Sequence, residues 1–442
     1  MQLAGTFSRL GACKVMVIGD LLLDTYTVGK AHRISPEAPV AVVQVHHEEH
    51  RPGGSGNVIL NLISLGAEVV AVGRIGSDTA GKVLLDALLS EGVLAEGIVT
   101  QDNFKTPVKN RIIAENQQIV RVDHEQYTPI PEMLEQQIID MLPKLLEGIK
   151  VVAISDYGKG FLSRTLLSAV IEAAKERNII TIADPKGIDF SKYSGVTVIK
   201  PNFSEAKAAA ALPPEAPLES LLSKVLSQAQ AQVLMVTRSE AGITLFDNKG
   251  HRQDFPVRIR EVKDVTGAGD TVLAMLTCAM ANGLDISLAA QLSNIAAGIA
   301  IERFGCARIS LSELARRLLE FDVVNKVFDE EHLFALQEAL RGRQFTLLSV
   351  SSVQGLTSRL YSSIRQLAQH QDRDLLVYVR DHQPSEEFVN ILASLREVSF
   401  IIVNSDNMRN LCDRIEPEEI YSVEGDQLRR LTHSNEMLSV ER

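Results

Sequence analysis

The chain is poor in cysteine, and the four it has, Cys13, Cys278, Cys306 and Cys412, lie far apart. None forms a C-x-x-C pair, which excludes a disulfide framework or a zinc cluster as the source of stability. No apolar run reaches the ~18 to 20 residues that a membrane-spanning helix needs. The opening MQLAGTFSRLGACKVMVIGD is broken by Arg9 and Lys14, so it does not read as a signal peptide. Positive charge is also short. With 45 basic and 56 acidic residues the net charge is −11, a poor footing for wrapping nucleic acid or anionic lipid. Internal repeats and low-complexity tracts are missing. These absences predict a soluble protein of a reducing, cytoplasmic compartment, with neither nucleic acid nor membrane as partner.

What is present is 442 residues, 45% hydrophobic and 23% charged, close to the globular average. At ~150 residues per domain there is room for two or three. From Val15 to about Ser310 short apolar runs alternate with helical stretches. VMVIGD, EVVAVGRIG, VVAISD, IITIAD, VTVIKPN and VLMVTRS read as buried strands, with helical spacing over Gly76–Leu94 and Leu162–Arg177. This predicts an α/β fold, a doubly wound and mostly parallel sheet covered on both faces. Ligands of such sheets bind beyond the carboxyl ends of the strands.

Thr25–His50 and Thr106–Glu125 break the alternation. Their alternating Val, Ile and Thr predict a small antiparallel sheet, either a lid over the strand ends or an inert edge. After Ile309 a helical segment, SLSELARRLLEF, leads to a change of composition. Residues 331–442 hold twelve arginines, seventeen acidic residues and no lysine, the last lysine being Lys326. FTLLSV, LLVYVR and VSFIIVN mark a second, smaller α/β domain there. The expected division is 1–318, a linker over 319–330, and 331–442.

The strongest chemical signal is Asp264-Val-Thr-Gly-Ala-Gly-Asp270-Thr, followed by the apolar run VLAMLTCAMANG. Gly267, Ala268 and Gly269 are small enough for backbone N–H groups to converge at a helix N-terminus, a site for anions. A carboxylate beside an anion site makes sense if it handles a proton. Asp270 as general base, with the amides holding phosphoryl charge, accounts for both features. Lys200-Pro-Asn-Phe-Ser-Glu205 follows a strand and suits an ATP–Mg²⁺ site, since magnesium takes few carboxylates plus waters and phosphate oxygens. A plain helix cap at Asn202 or Ser204 fits the same string.

DVTGAGDT resembles the C-terminal signature of the ribokinase-like, PfkB-type sugar kinases, and Arg51-Pro-Gly-Gly-Ser-Gly-Asn57 resembles their N-terminal one. The resemblance covers about residues 12–318, with the motifs in family order. It implies a doubly wound body with a β-sheet lid, ATP and Mg²⁺ as cofactors, and Asp270 as the base. It implies sugar contacts at Gly53, Gly54 and Asn57, and, through Gly19-Asp20-Leu-Leu-Leu-Asp24, at Asp24. The family's N-x-x-E element maps to Asn202 and Glu205, with Phe203 and Ser204 between them and Glu205 reaching the metal through water. Thr237, Ser239 and Gly242 resemble the nucleotide-side turn. Asp264 and Asn294 complete the implied nucleotide set.

More specific strings, Arg33-Ile-Ser-Pro-Glu-Ala-Pro-Val40, Asn116-Gln-Gln118 with Arg121 and Asp123, Asp156-Tyr-Gly-Lys-Gly160 and Asp184-Pro-Lys186, resemble the heptose 7-phosphate kinase branch. That implies transfer of the ATP γ-phosphoryl group to O1 of D-glycero-β-D-manno-heptose 7-phosphate, on the way to ADP-heptose for lipopolysaccharide cores. Lys109, Arg111, Lys159 and Lys186, with Asp184, are the candidates for the phosphorylated sugar. In that branch a cytidylyltransferase-like domain often follows, and residues 331–442 resemble it in size, placement and strand order. Its H-x-G-H motif is missing, however. The histidines here are His332, His370, His382 and His433, and no lysine accompanies them. A degenerate second domain is expected, and a homodimer paired through the lids. A kinase for another sugar or sugar phosphate, and a non-enzymatic scaffold, remain the alternatives.

Overall fold

The computed structural model describes residues 7–431 apart from 8, 116, 214–215, 258–261, 304, 322–325, 331–332, 354, 369–372, 382, 404–407 and 425–426. Asn116, His332, His370, His382 and His433 lie outside the described residues, as does part of the expected linker. Leu10–Ser310 forms one compact unit, and Leu311–Arg442 with Met1–Arg9 the other.

In the larger unit every predicted strand run forms a strand. β1 (Lys14–Gly19), β4 (Glu68–Gly76), β5 (Leu94–Gln101), β8 (Val151–Ser155), β9 (Ile180–Asp184), β10 (Val198–Ile199), β11 (Val233–Thr237), β12 (Ile243–Asp247) and β13 (Arg252–Phe255) make one sheet. Its order is β13-β12-β11-β10-β9-β8-β1-β4-β5. Pairing is parallel from β11 to β5, and an antiparallel hairpin closes the other edge. β1 and β8 are buried along nearly their whole length, as strands covered on both faces must be. From β1 the chain winds to β4 and β5 on one side, and from β8 to β9, β10 and β11 on the other. The order reverses between β1 and β8, where a crevice opens beyond the strand ends. The helix Ala268–Ala281 is apolar on all sides and buried from Asp270 to Ala279, so it runs through the core and brings only its N-terminus to that crevice.

The two irregular segments do form a separate sheet, and the first extends beyond its expected bounds at both ends. β2 (Leu21–Ile34), β3 (Ala41–Gly54), β6 (Val108–Ala114) and β7 (Gln117–His124) are arranged β3-β2-β6-β7. The sheet is mixed rather than antiparallel. Hairpins join β2 to β3 and β6 to β7, but β2 and β6 run parallel. Each hairpin leaves the main sheet in the same direction, so the two inner strands must align.

The smaller unit holds β14 (Val327–Phe328), β15 (Phe345–Val350), β16 (Asp374–Val379), β17 (Phe400–Ile402), β18 (Glu419–Glu424) and β19 (Gln427–Leu431), in the order β14-β17-β16-β15-β18-β19. The expected boundaries shift. The helix Leu311–Phe321 groups with this unit, burying Leu314, Ala315 and Leu318 at helical spacing, so the division falls at Ser310 rather than residue 318. β14 comes from the stretch expected as linker and pairs with β17. No described helix is long and apolar enough to cross a membrane.

Candidate active site

Asp270 stands in the first turn of the Ala268–Ala281 helix, buried, with both carboxylate oxygens engaged. Asn57 Nδ2 donates to Oδ2 at 2.7 Å, and the Tyr157 hydroxyl donates to Oδ1 at 2.5 Å. Asn57 reaches it from the helix Ser55–Ser64, which begins directly after Gly53 and Gly54 close β3. Gly267 caps the Asp270 helix at φ +78°, and a Cβ there would sit 2.9 Å from Asn57 Nδ2, so only glycine admits both the turn and the amide. Burial pushes the Asp270 carboxyl above its ordinary value, against the pull of Asn57, Tyr157 and Lys200. Burial and Asp270 drive the Tyr157 phenol well up, so it stays a proton donor.

On the side of the amino-terminal strands, Asp24 of β2 is buried and paired with Arg111 of β6 at 2.5 Å. A Cβ on Gly53 would fall 2.1 Å from Asp24 Oδ2, so the glycine makes room for that carboxylate. A recess of about 530 Å³ is bounded by Arg51, Asn57, Arg303, Cys306 and Arg308. A second recess, of about 180 Å³, is lined by Gly267, Gly269 and Asp270 together with Asp184, Lys200 and Glu205. Asn57 lines the first recess and holds Asp270, which lines the second. Asn57 therefore connects the carboxylate to the first hollow.

Asn202 and Glu205 form a reciprocal cap. Asn202 Oδ1 accepts from Glu205 N at 2.9 Å, and Glu205 Oε2 accepts from Asn202 N at 3.0 Å. The capping reading of this string therefore holds, and Glu205 still faces the recess, where Oε1 meets Lys186 Nζ at 3.0 Å. Thr237 bridges to Asn202, while Phe203 and Ser204 open the same helix. Ser239 and Gly242 form the turn after β11, both at positive φ. The described residues contain no group of three His, Cys, Asp or Glu able to cage a metal. One glutamate beside an anion hollow suits magnesium, which keeps waters and phosphate oxygens as its other ligands.

Other predicted residues are placed differently. Asp264 spends its carboxylate on Thr266 N (2.9 Å), Thr266 Oγ1 (2.7 Å) and Gly305 N (2.8 Å), tying the glycine loop to a neighbouring turn. Asn294 donates to the carbonyls of Phe255 and Pro256, both at 3.1 Å. Ala268 N donates to Val265 O at 3.3 Å, so Gly267 and Gly269 are the parts of the glycine loop that line the recess. The four cations expected to converge do not form one cluster. Arg111 pairs with Asp24, Lys159 with Glu125 at 2.7 Å, and Lys186 with Glu205, while Lys109 lies 5.6 Å from the Tyr157 ring centre. Acidic partners on an adjoining strand, a loop and a helix capture three of the four.

Four side chains escaped the sequence reading. Tyr157 and Lys200 lay inside quoted strings, at the end of a strand in each case, and that position was the usable signal. Arg303 and Arg308 belong to no motif.

A crevice at the reversal of a parallel sheet, with a buried carboxylate at a glycine-rich helix N-terminus, is the frame of a phosphoryl-transfer site. Residues 12–314 match the pfkB family carbohydrate kinase model, and the chain belongs to that family. It is a carbohydrate kinase. The chain is 43% identical over 344 residues to the bifunctional protein HldE of Trichlorobacter lovleyi, covering 76% of this chain and 70% of that protein. With the bifunctional protein HldE of Geobacter sulfurreducens identity is 38% over 429 residues, covering 93% and 88%. Among solved structures the fold is shared with phosphofructokinase-2 from Escherichia coli in complex with potassium (TM-score 0.58, 18% identity, 70% of this chain and 99% of that one). It is shared also with Arabidopsis thaliana ribokinase complexed with ribose and ATP (TM-score 0.54, 18% identity, 70% and 99%).

Proposed function

We propose that the chain transfers the γ-phosphoryl group of ATP to O1 of D-glycero-β-D-manno-heptose 7-phosphate, with Asp270 as general base. The observation that carries this reading is the position of Asp270, buried, lining one hollow and held by Asn57, which lines the other. The sugar lies on the Asn57 and Asp24 side, and the triphosphate on the Gly267, Gly269 and Glu205 side. Asp270 accepts the proton of the attacking hydroxyl, while Asn57 and Tyr157 fix the plane of the carboxylate. Each carboxylate oxygen keeps a further lone pair for the substrate hydroxyl. Glu205 and the phosphate oxygens would hold Mg²⁺, which when bound offsets triphosphate charge. The heptose assignment is supported by the strings shared with that branch and by the HldE relatives. An ATP-consumption panel with heptose 7-phosphate, ribose, fructose 6-phosphate and adenosine tests it, and turnover of ribose or adenosine alone would refute the substrate.

The C-terminal unit carries no nucleotidyl transfer in this reading. Lysine is missing from residues 331–442 and the H-x-G-H motif from the whole unit, and the hollow beyond β15 is lined by Ser351, Thr357, Arg380 and apolar side chains. ADP-heptose formed by the full chain from heptose 1-phosphate and ATP would overturn this. The lids pair into a homodimer, since β7 is exposed throughout and Ile34, Val45, Ile119 and Val120 present apolar surface on this sheet. A 48.4 kDa particle in light scattering would refute the dimer. A cytoplasmic site of action is supported by four free cysteines.

A further inference from the structure

Lys200 directly follows β10 and lines the nucleotide-side hollow. Its backbone N–H donates to Ala183 O at 2.7 Å, which turns the side chain across the end of the neighbouring strand. The side chain is 2% exposed, and its ammonium stands 2.9 Å from Asp184 Oδ2. It lines the same hollow as Gly267, Gly269 and Asp270, and a Cβ placed on Gly269 would lie 3.9 Å from Nζ.

Stability does not call for this arrangement. Two charges taken out of water recover little by pairing, and apolar residues of like volume serve a fold at least as well. Asp184 is itself poorly served there, its carboxyl pushed by burial up to about 6 even with Lys200 beside it. An ammonium carries three donors in a tetrahedral fan, and Asp184 lies along one direction of that fan. The hollow opposite is the one flanked by the glycine loop and the base.

We propose that Lys200 is a catalytic residue, whose ammonium contacts a non-bridging oxygen of the phosphoryl group as it passes from ATP to the sugar hydroxyl. This rests on the reading of Asp270 as the base. Lys200 forms no covalent bond. The P–O bond to the ADP leaving oxygen breaks, the P–O bond to the sugar forms, and the hydroxyl proton goes to Asp270. What Lys200 supplies is a fixed positive charge in a site of low dielectric, already oriented by Asp184 before the substrates arrive. Lys186, half exposed on the rim and paired with Glu205, cannot give the same preorganisation.

The test uses the full chain with ATP, Mg²⁺ and whichever sugar of the panel the wild type turns over. Wild-type turnover thus decides the substrate reading, and the ratio of variant to wild type decides Lys200. Lys200→Met keeps the stem and removes the charge, and Asp184 can then take a proton. The expected result is a fall in kcat of ~10²-fold or more with KM for the sugar unchanged. A folded variant that keeps about a tenth or more of the wild-type kcat overturns the proposal. If the single variant does not fold, Asp184→Asn/Lys200→Met is compared with Asp184→Asn, in which Lys200 keeps its charge. A double variant at least about tenfold slower than Asp184→Asn supports the proposal, and one closer to it in rate refutes it.

Discussion

The crevice beyond β1 and β8 and the crevice beyond β15 and β16 occupy the same place on their respective sheets, at the carboxyl ends of parallel strands. A carboxylate stands near each. Asp270 in the larger unit is buried, contacts one amide and one phenol, and is pushed up by desolvation. Asp381 in the smaller unit follows β16, takes the Ser351 hydroxyl at 2.9 Å, and also accepts from Ser352 N. Burial raises Asp381, but the serine donors outweigh it and hold the group below its ordinary value. A proton acceptor needs a raised affinity for the proton and a hollow for its partner. A carboxylate that ties a loop has the opposite affinity and is spent on its own chain. The shared topology therefore says where to look, and the local donors set how strongly each carboxylate holds a proton.

The largest expected effect is at Asp270. Asp270→Asn should lower kcat by ~10²-fold or more while circular dichroism and ATP binding stay as in the wild type. Near-native kcat would remove Asp270 from the mechanism and collapse the contrast with Asp381. Next comes Tyr157→Phe, which deletes one charge-assisted hydrogen bond and should cost about tenfold in kcat. Because the phenol lowers the Asp270 pKa, its loss should also move the acid limb of the kcat/KM profile to higher pH. A limb that does not move would assign Tyr157 to packing alone.

The pH profile of the wild type carries its own sign. Asp270 must be deprotonated to accept a proton, and its pKa is raised by burial, so kcat/KM should fall on acidification at a pH above the usual carboxylate range. An acid limb at or below the value of a free aspartate would contradict the burial argument. Glu205→Gln should raise the Mg²⁺ concentration for half-maximal rate several-fold, with a smaller change in kcat at saturating metal. Asp381→Asn should have the smallest effect on catalysis, leaving kinase kcat unchanged while costing the smaller unit about 1 kcal/mol, read from its thermal unfolding. A parallel loss of kinase turnover would show that the two crevices are not independent.

Much of the fold was legible because strands buried on both faces must be continuous apolar runs, and VMVIGD, VVAISD and IITIAD could be little else. The helix behind DVTGAGD was equally legible, since only a core helix is apolar all round. The lid segments showed their strand character through alternation, but not the parallel pairing of β2 with β6, which depends on two hairpins 80 or so residues apart leaving one body side by side. The boundary at Ser310 was hidden for a related reason, because an amphipathic helix such as Leu311–Phe321 does not announce which core will take its apolar face.

For the site, residue type and spacing along the chain determined Asp270, the glycines beside it, Asn57 and the Asn202–Glu205 pair. Those features are local, and a helix N-terminus or a cap is built from neighbours in sequence. Only the tertiary structure decided which carboxylate each cation meets. Arg111, Lys159 and Lys186 are drawn to Asp24, Glu125 and Glu205, while Lys200 is buried beside Asp184 and Tyr157 reaches a carboxylate 113 positions away. Charge acts through space, with a strength set by distance and burial, and neither is written in the order of the residues.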